Sequence, residues 1–144
     1  MISSFDGQYR FLSNFYELEF YYIGNQVYRS AEHAYQSEKA FTWEDRKKIM
    51  DASSPGKAKA LGYKIHVRPD WEFIKMERML TIVRRKFDHP DIKAALLATG
   101  DELLEEGNIW EDTFWGVCRG NGLNILGKIL MLVRDEKRQG WIRS

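Results

Sequence analysis

Phe73, Met76, Leu80, Val83 and Phe87 recur at three-four spacing behind Asp70, and this periodicity constrains the fold more than any other feature of the chain. Steps of three and four return side chains to one helix face, so a long helix capped by Asp70 is predicted, with that stripe in the core. Its methionines belong to the stripe and not to a cofactor site. A further helix starts near Pro90 and carries Ile92, Ala95, Leu96 and Ala98 before Gly100. The last strong helix runs from about Leu123 to Lys137 and buries Leu126, Ile129, Leu130 and Val133. Thr42 precedes a short charged helix, Trp43 to Met50. Ser53-Ser54-Pro55 opens another, with Pro at its first position and Gly62 at its close.

Before residue 28 the period changes to two. Leu18, Phe20 and Tyr22 alternate with Glu17, Glu19 and Tyr21, Gly24-Asn25 interrupts, and Val27-Tyr28 resumes, which predicts a β-hairpin from about Glu17 to Tyr28. Leu103 to Glu106 and Thr113 to Trp115, separated by Gly107-Asn108, read as a small ribbon. The expected class is mainly α (α+β), a single compact helical domain over residues 1–144 with a small antiparallel hairpin. A chain of 144 residues can build one proper core and is too short for two ordinary domains.

A net charge of +1, with both signs scattered, argues against binding nucleic acid through bulk electrostatics, though not against reading one modified nucleotide in a cleft. Apolar runs are too short to span a bilayer, and the N-terminus lacks a basic segment followed by an apolar one. Cys118 is the single cysteine and cannot form an internal disulfide, so a reducing cytoplasm is the expected setting. No exposed apolar stripe points to an obligate protein partner.

Function is expected in the stretch from Tyr28 to Ala40. Ser30 is a good N-cap, and the ten residues after it hold no Gly or Pro. At about 100° per residue, Glu32, Tyr35, Gln36, Lys39 and Trp43 fall on one stripe of one helix. A carboxylate, an amide and an amine flanked by rings suit the wall of a polar pocket. A half-exposed helix with a loose Glu–Lys pair fits the spacing equally well. Arg10, Ser13 and Asn14 lie among aromatics, as pocket groups or, more simply, as turn formers.

Common motifs are absent. His33, His66 and His89 have no partner at metal-ligand spacing, and no metal or cofactor is expected. There is no phosphate loop of the Walker kind and no nucleophile elbow. Gly116 to Gly127 is Gly-rich, opens a helix and contains Arg119, so its backbone could hold a phosphate, or simply turn.

Taken together, Phe11-Leu12-Ser13-Asn14-Phe15, Ser30 to Ala40, Ser54-Pro55, Ala60-Leu61-Gly62, Asp70-Trp71, Lys86-Phe87, Leu96 to Gly100, Leu104-Glu105, Asp112 to Gly116 and Gly122 to Lys128 resemble the NADAR (YbiA-like) family. The resemblance covers nearly the whole chain in the right order. It implies a mainly helical domain that cleaves N-glycosidic bonds. Two substrate classes are implied: ribosylaminopyrimidine phosphates of riboflavin biosynthesis, and ADP-ribose on the exocyclic amine of guanine. The partner is then a small nucleotide or an ADP-ribosylated nucleic acid.

Carried over, the pocket residues are Glu32, Lys39, Trp71, Asp112, Trp115 and the Asn124 loop, with Tyr35, Gln36 and Gly116 beside them. Many relatives have an acid directly after the Trp-Gly pair; this chain has Val117, so no role of that acid transfers. The expected mechanism uses Lys39 as nucleophile, Glu32 as acid/base and Asp112 to orient the sugar or a water. Direct water attack is the alternative within the enzyme class, and a non-catalytic ADP-ribose-binding module is the alternative outside it.

Overall fold

Ser30 ends a strand, and its hydroxyl accepts from the His33 amide at 3.1 Å, so the chain turns from strand to helix at that residue. The computed structural model describes residues 1–140. They form two compact units: residues 14–86, and residues 1–13 together with the chain from residue 87 onward. The protein is 50% helical and carries a small two-stranded antiparallel sheet, in agreement with the predicted class.

In the unit of residues 14–86, β1 (Glu17–Ile23) pairs antiparallel with β2 (Gln26–Ser30), and Phe20 stands opposite Tyr28. Phe20 and Tyr22 turn inward while Glu17, Glu19 and Tyr21 face water, as alternation requires. α1 (Ala31–Lys39) follows at once and packs against β2, α2 (Trp43–Met50), α3 (Pro55–Gly62) and α4 (Trp71–Lys86). α1 is therefore enclosed on nearly every side.

An enclosed helix is ordinarily apolar. This one buries Glu32, His33, Gln36, Ser37 and Glu38. Burying such groups is costly unless they are bonded, and four of them have specific side-chain partners. His33 lies between the Ser30 hydroxyl (2.7 Å) and the Ala52 carbonyl (2.9 Å). Glu38 takes Arg46 at 2.6 Å and Arg78 at 2.7 Å, which ties α2 and α4 to α1. Gln36 donates to Glu32.

α4 corrects one expectation. Its buried side chains are Trp71, Met79, Ile82, Val83 and Lys86, whereas Phe73 is 92% exposed, Met76 lies on the surface and Leu80 is half-buried. Within the helix the predicted stripe is thus turned by about 100° from the buried one, the two sharing Val83, while Phe87, the last residue of the stripe, is fully buried just past the helix end, as predicted. The helix carries two apolar faces. The true one includes a buried lysine, Lys86, that periodicity counts as polar.

In the other unit, a 3-10 turn (Gly7–Leu12) precedes α5 (Pro90–Ala98), β3 (Gly107–Asn108), β4 (Val117–Cys118) and α6 (Ile125–Arg138). α6 buries Leu126, Ile129, Leu130 and Val133, as predicted. The ribbon differs from expectation. Gly107-Asn108 pairs in parallel with Val117-Cys118, because Leu104 bridges instead to Ile2 and the Phe114 and Trp115 carbonyls are taken by α6 amides. No helix among the described residues is long and apolar enough to cross a membrane.

Candidate active site

α1 presents Glu32, Tyr35, Gln36 and Lys39 on one stripe. The Glu32 side chain is buried, and its Oε2 accepts from Gln36 Nε2 at 2.7 Å. Gln36 is itself held from behind by α3. A Cβ placed on Gly62 would stand 1.9 Å from Gln36 Oε1, so only glycine lets the amide lie where it does. One helical turn further on, Lys39 is half-buried, and burial holds its ammonium below the ordinary lysine range. The negative charges of Glu32 and Glu72 act in the opposite sense. Lys39 Nζ lies 5.6 Å from the centroid of the Tyr63 ring.

Trp71 opens α4 and is buried against Tyr35, with ring centroids 5.2 Å apart. Trp43 does not join the stripe. α1 ends at Lys39 with Ala40 extended, and Trp43 starts α2 with its side chain mostly in water. Asn14 sits at the other end of α1, where its carbonyl accepts the Glu32 amide at 2.9 Å and its side-chain amide faces Met79 Sδ at 3.5 Å. It therefore seats the helix start that carries Glu32. Chemically, α1 offers a carboxylate fixed by an amide and an amine whose proton is weakened. That pair can move protons, and its neutral amine can attack an electrophilic carbon.

The remaining candidates lie in the other unit. Asp112 Oδ1 accepts the amides of Phe114 (3.2 Å) and Trp115 (2.9 Å), so its carboxylate shapes the Phe114-Trp115-Gly116 turn. Phe114 and Trp115 meet edge to face at 4.8 Å. Asn108 clamps Asp112 from outside: Nδ2 donates to the Asp112 carbonyl at 2.9 Å, and Oδ1 accepts the Asp112 amide at 3.1 Å. The same Nδ2 reaches Glu106 Oε2 at 3.0 Å, and that carboxylate rests against Gly116, where a Cβ would come within 1.8 Å of it. An acid thus stands beside the Trp-Gly step in space, although Val117 follows it in sequence. Neither Glu106 nor Asn108 stands out in the sequence; Gly107-Asn108 reads as a spacer, and only the tendency of Asn to bond nearby backbone hints at the clamp.

The Gly-rich loop is built as a turn. Arg119 and Gly120 both have positive φ, and Cys118 and Asn121 exchange backbone hydrogen bonds across them. The amides of Asn124, Ile125 and Leu126 donate to the carbonyls of Gly116, Phe114 and Trp115. Those three amides at the start of α6 are therefore spent on the chain itself and are not offered to a phosphate. The Asn124 side chain is likewise engaged, accepting the Glu106 amide at 3.0 Å and donating to the Leu104 carbonyl at 2.9 Å. Arg10 is exposed within the 3-10 turn, and Ser13 closes that turn by donating its amide to the Arg10 carbonyl. Among the described residues, no group of three or more His, Cys, Asp or Glu is placed to hold a metal ion.

Known proteins resemble this chain along most of its length. The N-glycosidase Npun_R5314 of Nostoc punctiforme is 42% identical over 125 residues, covering 81% of this chain and 79% of that protein. The riboflavin biosynthesis protein VVA0006 of Vibrio vulnificus is 38% identical over 93% of this chain, which spans 37% of that longer protein. The N-glycosidase YbiA of Escherichia coli is 32% identical over 79% of this chain and 73% of its own length. The NMR structure of E. coli YbiA superposes with a TM-score of 0.83 at 28% identity, covering 100% of this chain and 92% of that one. The model of the NADAR domain matches residues 3–138, across both compact units. A helix with Glu32 and Lys39 on one stripe, and a loop shaped by Asp112 ahead of Trp115-Gly116, are thus features of a chain that belongs to the NADAR domain family.

Proposed function

We propose that the protein hydrolyses the bond between C1 of a ribose and an exocyclic amine, through Lys39 as nucleophile and Glu32 as acid/base. The coarse activity, hydrolysis of an N-glycosyl compound, accords with family members named N-glycosidases. The finer reading is carried by one observation: a buried Glu32 anchored by Gln36 shares a helix stripe with a Lys39 whose ammonium is weakened by burial. Substrates of this bond type are ADP-ribosylated guanine and ribosylaminopyrimidine phosphates. The name of the Vibrio relative supports the second.

The chemistry suits the pair. The exocyclic nitrogen lone pair expels the ring oxygen from C1 while Glu32 in its acid form gives O4′ a proton, which leaves an iminium and a Glu32 carboxylate. Neutral Lys39 adds to C1, and the proton it sheds returns to Glu32. Glu32 in its acid form protonates the departing amine, which leaves as the free base and an imine between Lys39 and the sugar. Glu32, now a carboxylate, takes a proton from water as the water adds to C1. Glu32 passes that proton to the Lys39 nitrogen, the amine is expelled as the C1 aldehyde forms and its hydroxyl proton returns to Glu32, and the ribose closes. Lysine is the side chain for this task because desolvation lowers its pKa readily. Asp112 is assigned the orientation of the sugar or a water through the family likeness.

Borohydride added during turnover tests the route. It should leave a ribose-containing adduct on the Lys39 peptide, visible by mass spectrometry. Lys39→Arg keeps the charge but cannot supply a neutral amine, so turnover should fall by about 10²–10⁴-fold. Full activity in Lys39→Arg, or an active wild type without adduct, would transfer the role of activating water to Glu32.

A further inference from the structure

We infer that Glu38 is a positioning residue, held by Arg46 and Arg78 so that the last turn of α1 keeps the Lys39 amine in its half-buried place. Glu38 directly precedes Lys39, and successive helix residues diverge by about 100°, so the two side chains leave α1 in different directions. The Glu38 side chain is 5% exposed, and each of its oxygens takes one guanidinium. Oε1 takes Arg46 Nη1 at 2.6 Å, and Oε2 takes Arg78 Nε at 2.7 Å. Arg46 belongs to α2 and Arg78 to α4. Arg46 also reaches the Ser37 carbonyl at 3.4 Å and the Tyr28 hydroxyl of β2 at 2.6 Å. Tyr22 of β1 completes the cluster. Burial, and then the charge of the Glu38 carboxylate to which its hydroxyl is bonded, push that phenol above its ordinary range. Two strands and two helices thus converge on one carboxylate.

Lys39 is the last residue of a nine-residue helix, a length that is marginal by itself, and helix ends fray. Beyond it the chain is extended: Ala40 bridges Val67, and the Arg68 amide bonds the Lys39 carbonyl at 2.9 Å. Those bonds fix the backbone after the helix, and the Glu38 cluster fixes the turn before it. Stability of the fold does not require such a cluster, because well-packed apolar residues of similar volume often serve as well as a buried ion pair or better. What the ions supply is direction. Two guanidiniums from two helices, one on each oxygen, hold the carboxylate in one orientation and α1 in one rotation. An amine that must attack one carbon needs this, since a misplacement of about 1 Å can cost about 10²-fold in rate. The purpose of the anchor rests on the Lys39 reading; its geometry does not.

The test labels the amines of the full protein with formaldehyde and cyanoborohydride, and follows the Lys39 peptide by mass spectrometry across pH 6–10. Labelling needs the neutral amine, so its midpoint reports how readily Lys39 gives up its proton. Burial lowers that midpoint, Glu32 of α1 and Glu72 of α4 raise it, and the Tyr63 ring of α3 faces the amine. Arg78→Met removes one guanidinium and leaves Arg46 and Tyr22 on Glu38. The loosened turn admits water to Lys39, so the midpoint should move up. On a ribosylaminopyrimidine phosphate, kcat should fall about 10–100-fold with KM within about twofold. Arg78→Lys keeps a charge at Oε2 and should bring both values back towards wild type. Should Arg78→Met fail to fold, Arg46→Lys, which loses the fork spanning Glu38 and Tyr28, reads the same anchor from α2. Melting identifies the variants that are folded. An unchanged midpoint in a folded variant, whatever its melting temperature, would make the cluster a stabiliser only; the anchor is then overturned and the glycosidase reading is untouched. A raised midpoint with unchanged kcat would keep the anchor and show that Lys39 is not the reacting amine.

Discussion

Gly62→Ala is the smallest change that should reach Glu32 without touching it. The added Cβ would lie 1.9 Å from Gln36 Oε1 and 2.7 Å from its Cδ, and ordinary contact begins at 3.4 Å. The amide must therefore retreat by about 1.5 Å. Gln36 is 5% exposed, so there is no open space to retreat into. Its Nε2 is also tied to Glu32 at 2.7 Å, a bond that cannot survive such a shift. Overpacking of this kind costs about 1–3 kcal/mol, and a lost hydrogen bond to a carboxylate about 1.5–3 kcal/mol. Alanine returns at most about 1 kcal/mol of helix propensity at the end of α3. The losses win, and a net destabilisation of about 1.5–5 kcal/mol is expected.

A double-mutant cycle isolates the cause. In a Gln36→Ala background the clash is gone, so Gly62→Ala should be neutral or slightly stabilising by urea denaturation, with a coupling of at least about 1.5 kcal/mol. Turnover should fall about 10–100-fold in Gly62→Ala, because Glu32 loses the amide that aims it. It should stay low in the double variant although the clash is gone, because no amide is left to aim Glu32. If Gly62→Ala melts and turns over as wild type, Gln36 does not hold Glu32 and the stripe is not a prepared site.

Ile82→Ala should cost about 2–5 kcal/mol, because Ile82 is fully buried, whereas Phe73→Ala on the exposed face should change stability by less than about 0.5 kcal/mol; chemical denaturation of the two variants checks the orientation of α4. Burial holds the His33 imidazole below its ordinary range, so the folded state binds fewer protons than the unfolded one, and stability should be full above pH 6.5 and decline as pH falls from there; His33→Gln should flatten that decline in melting curves taken across pH 4–8. Asp112→Asn keeps an acceptor for the Phe114 and Trp115 amides, so it should fold normally, and a loss of turnover with unchanged melting would point to the missing charge rather than to the turn.

Much of the fold was legible because it follows local rules. Ser30, Thr42 and Ser54 each accept an amide at the start of the helix predicted after them. The hairpin falls where the alternation places it, with β2 running on to Ser30. α4 was misread because its sequence carries two apolar faces, and its partners decide which one is buried. Val83 belongs to both faces, and Lys86, fully enclosed, marks the one that won. The β3–β4 pair was misread for a related reason: pairing between distant segments is set by the loop that Asn108 and Asp112 tie, which leaves no periodic trace.

The candidate site divides in the same manner. On α1, spacing alone puts Glu32, Gln36 and Lys39 on one stripe, since the geometry of a helix is fixed by its backbone. Spacing cannot say that this helix is buried on nearly all sides, and burial is what turns an ordinary lysine into an amine that gives up its proton more readily. It is also what makes Gly62 matter, because a glycine on α3 reads as a helix end until Gln36 is seen against it. In the loop from Glu106 to Asn124, by contrast, the polar side chains serve the backbone first. Asn124 bonds Leu104 and Glu106, Asn108 bonds Asp112, and Asp112 bonds Phe114 and Trp115. Such residues hold a loop in one shape whether or not they meet a ligand. Their presence in a motif is therefore weaker evidence of chemistry than the buried carboxylate and amine of α1, for which the fold alone supplies no need.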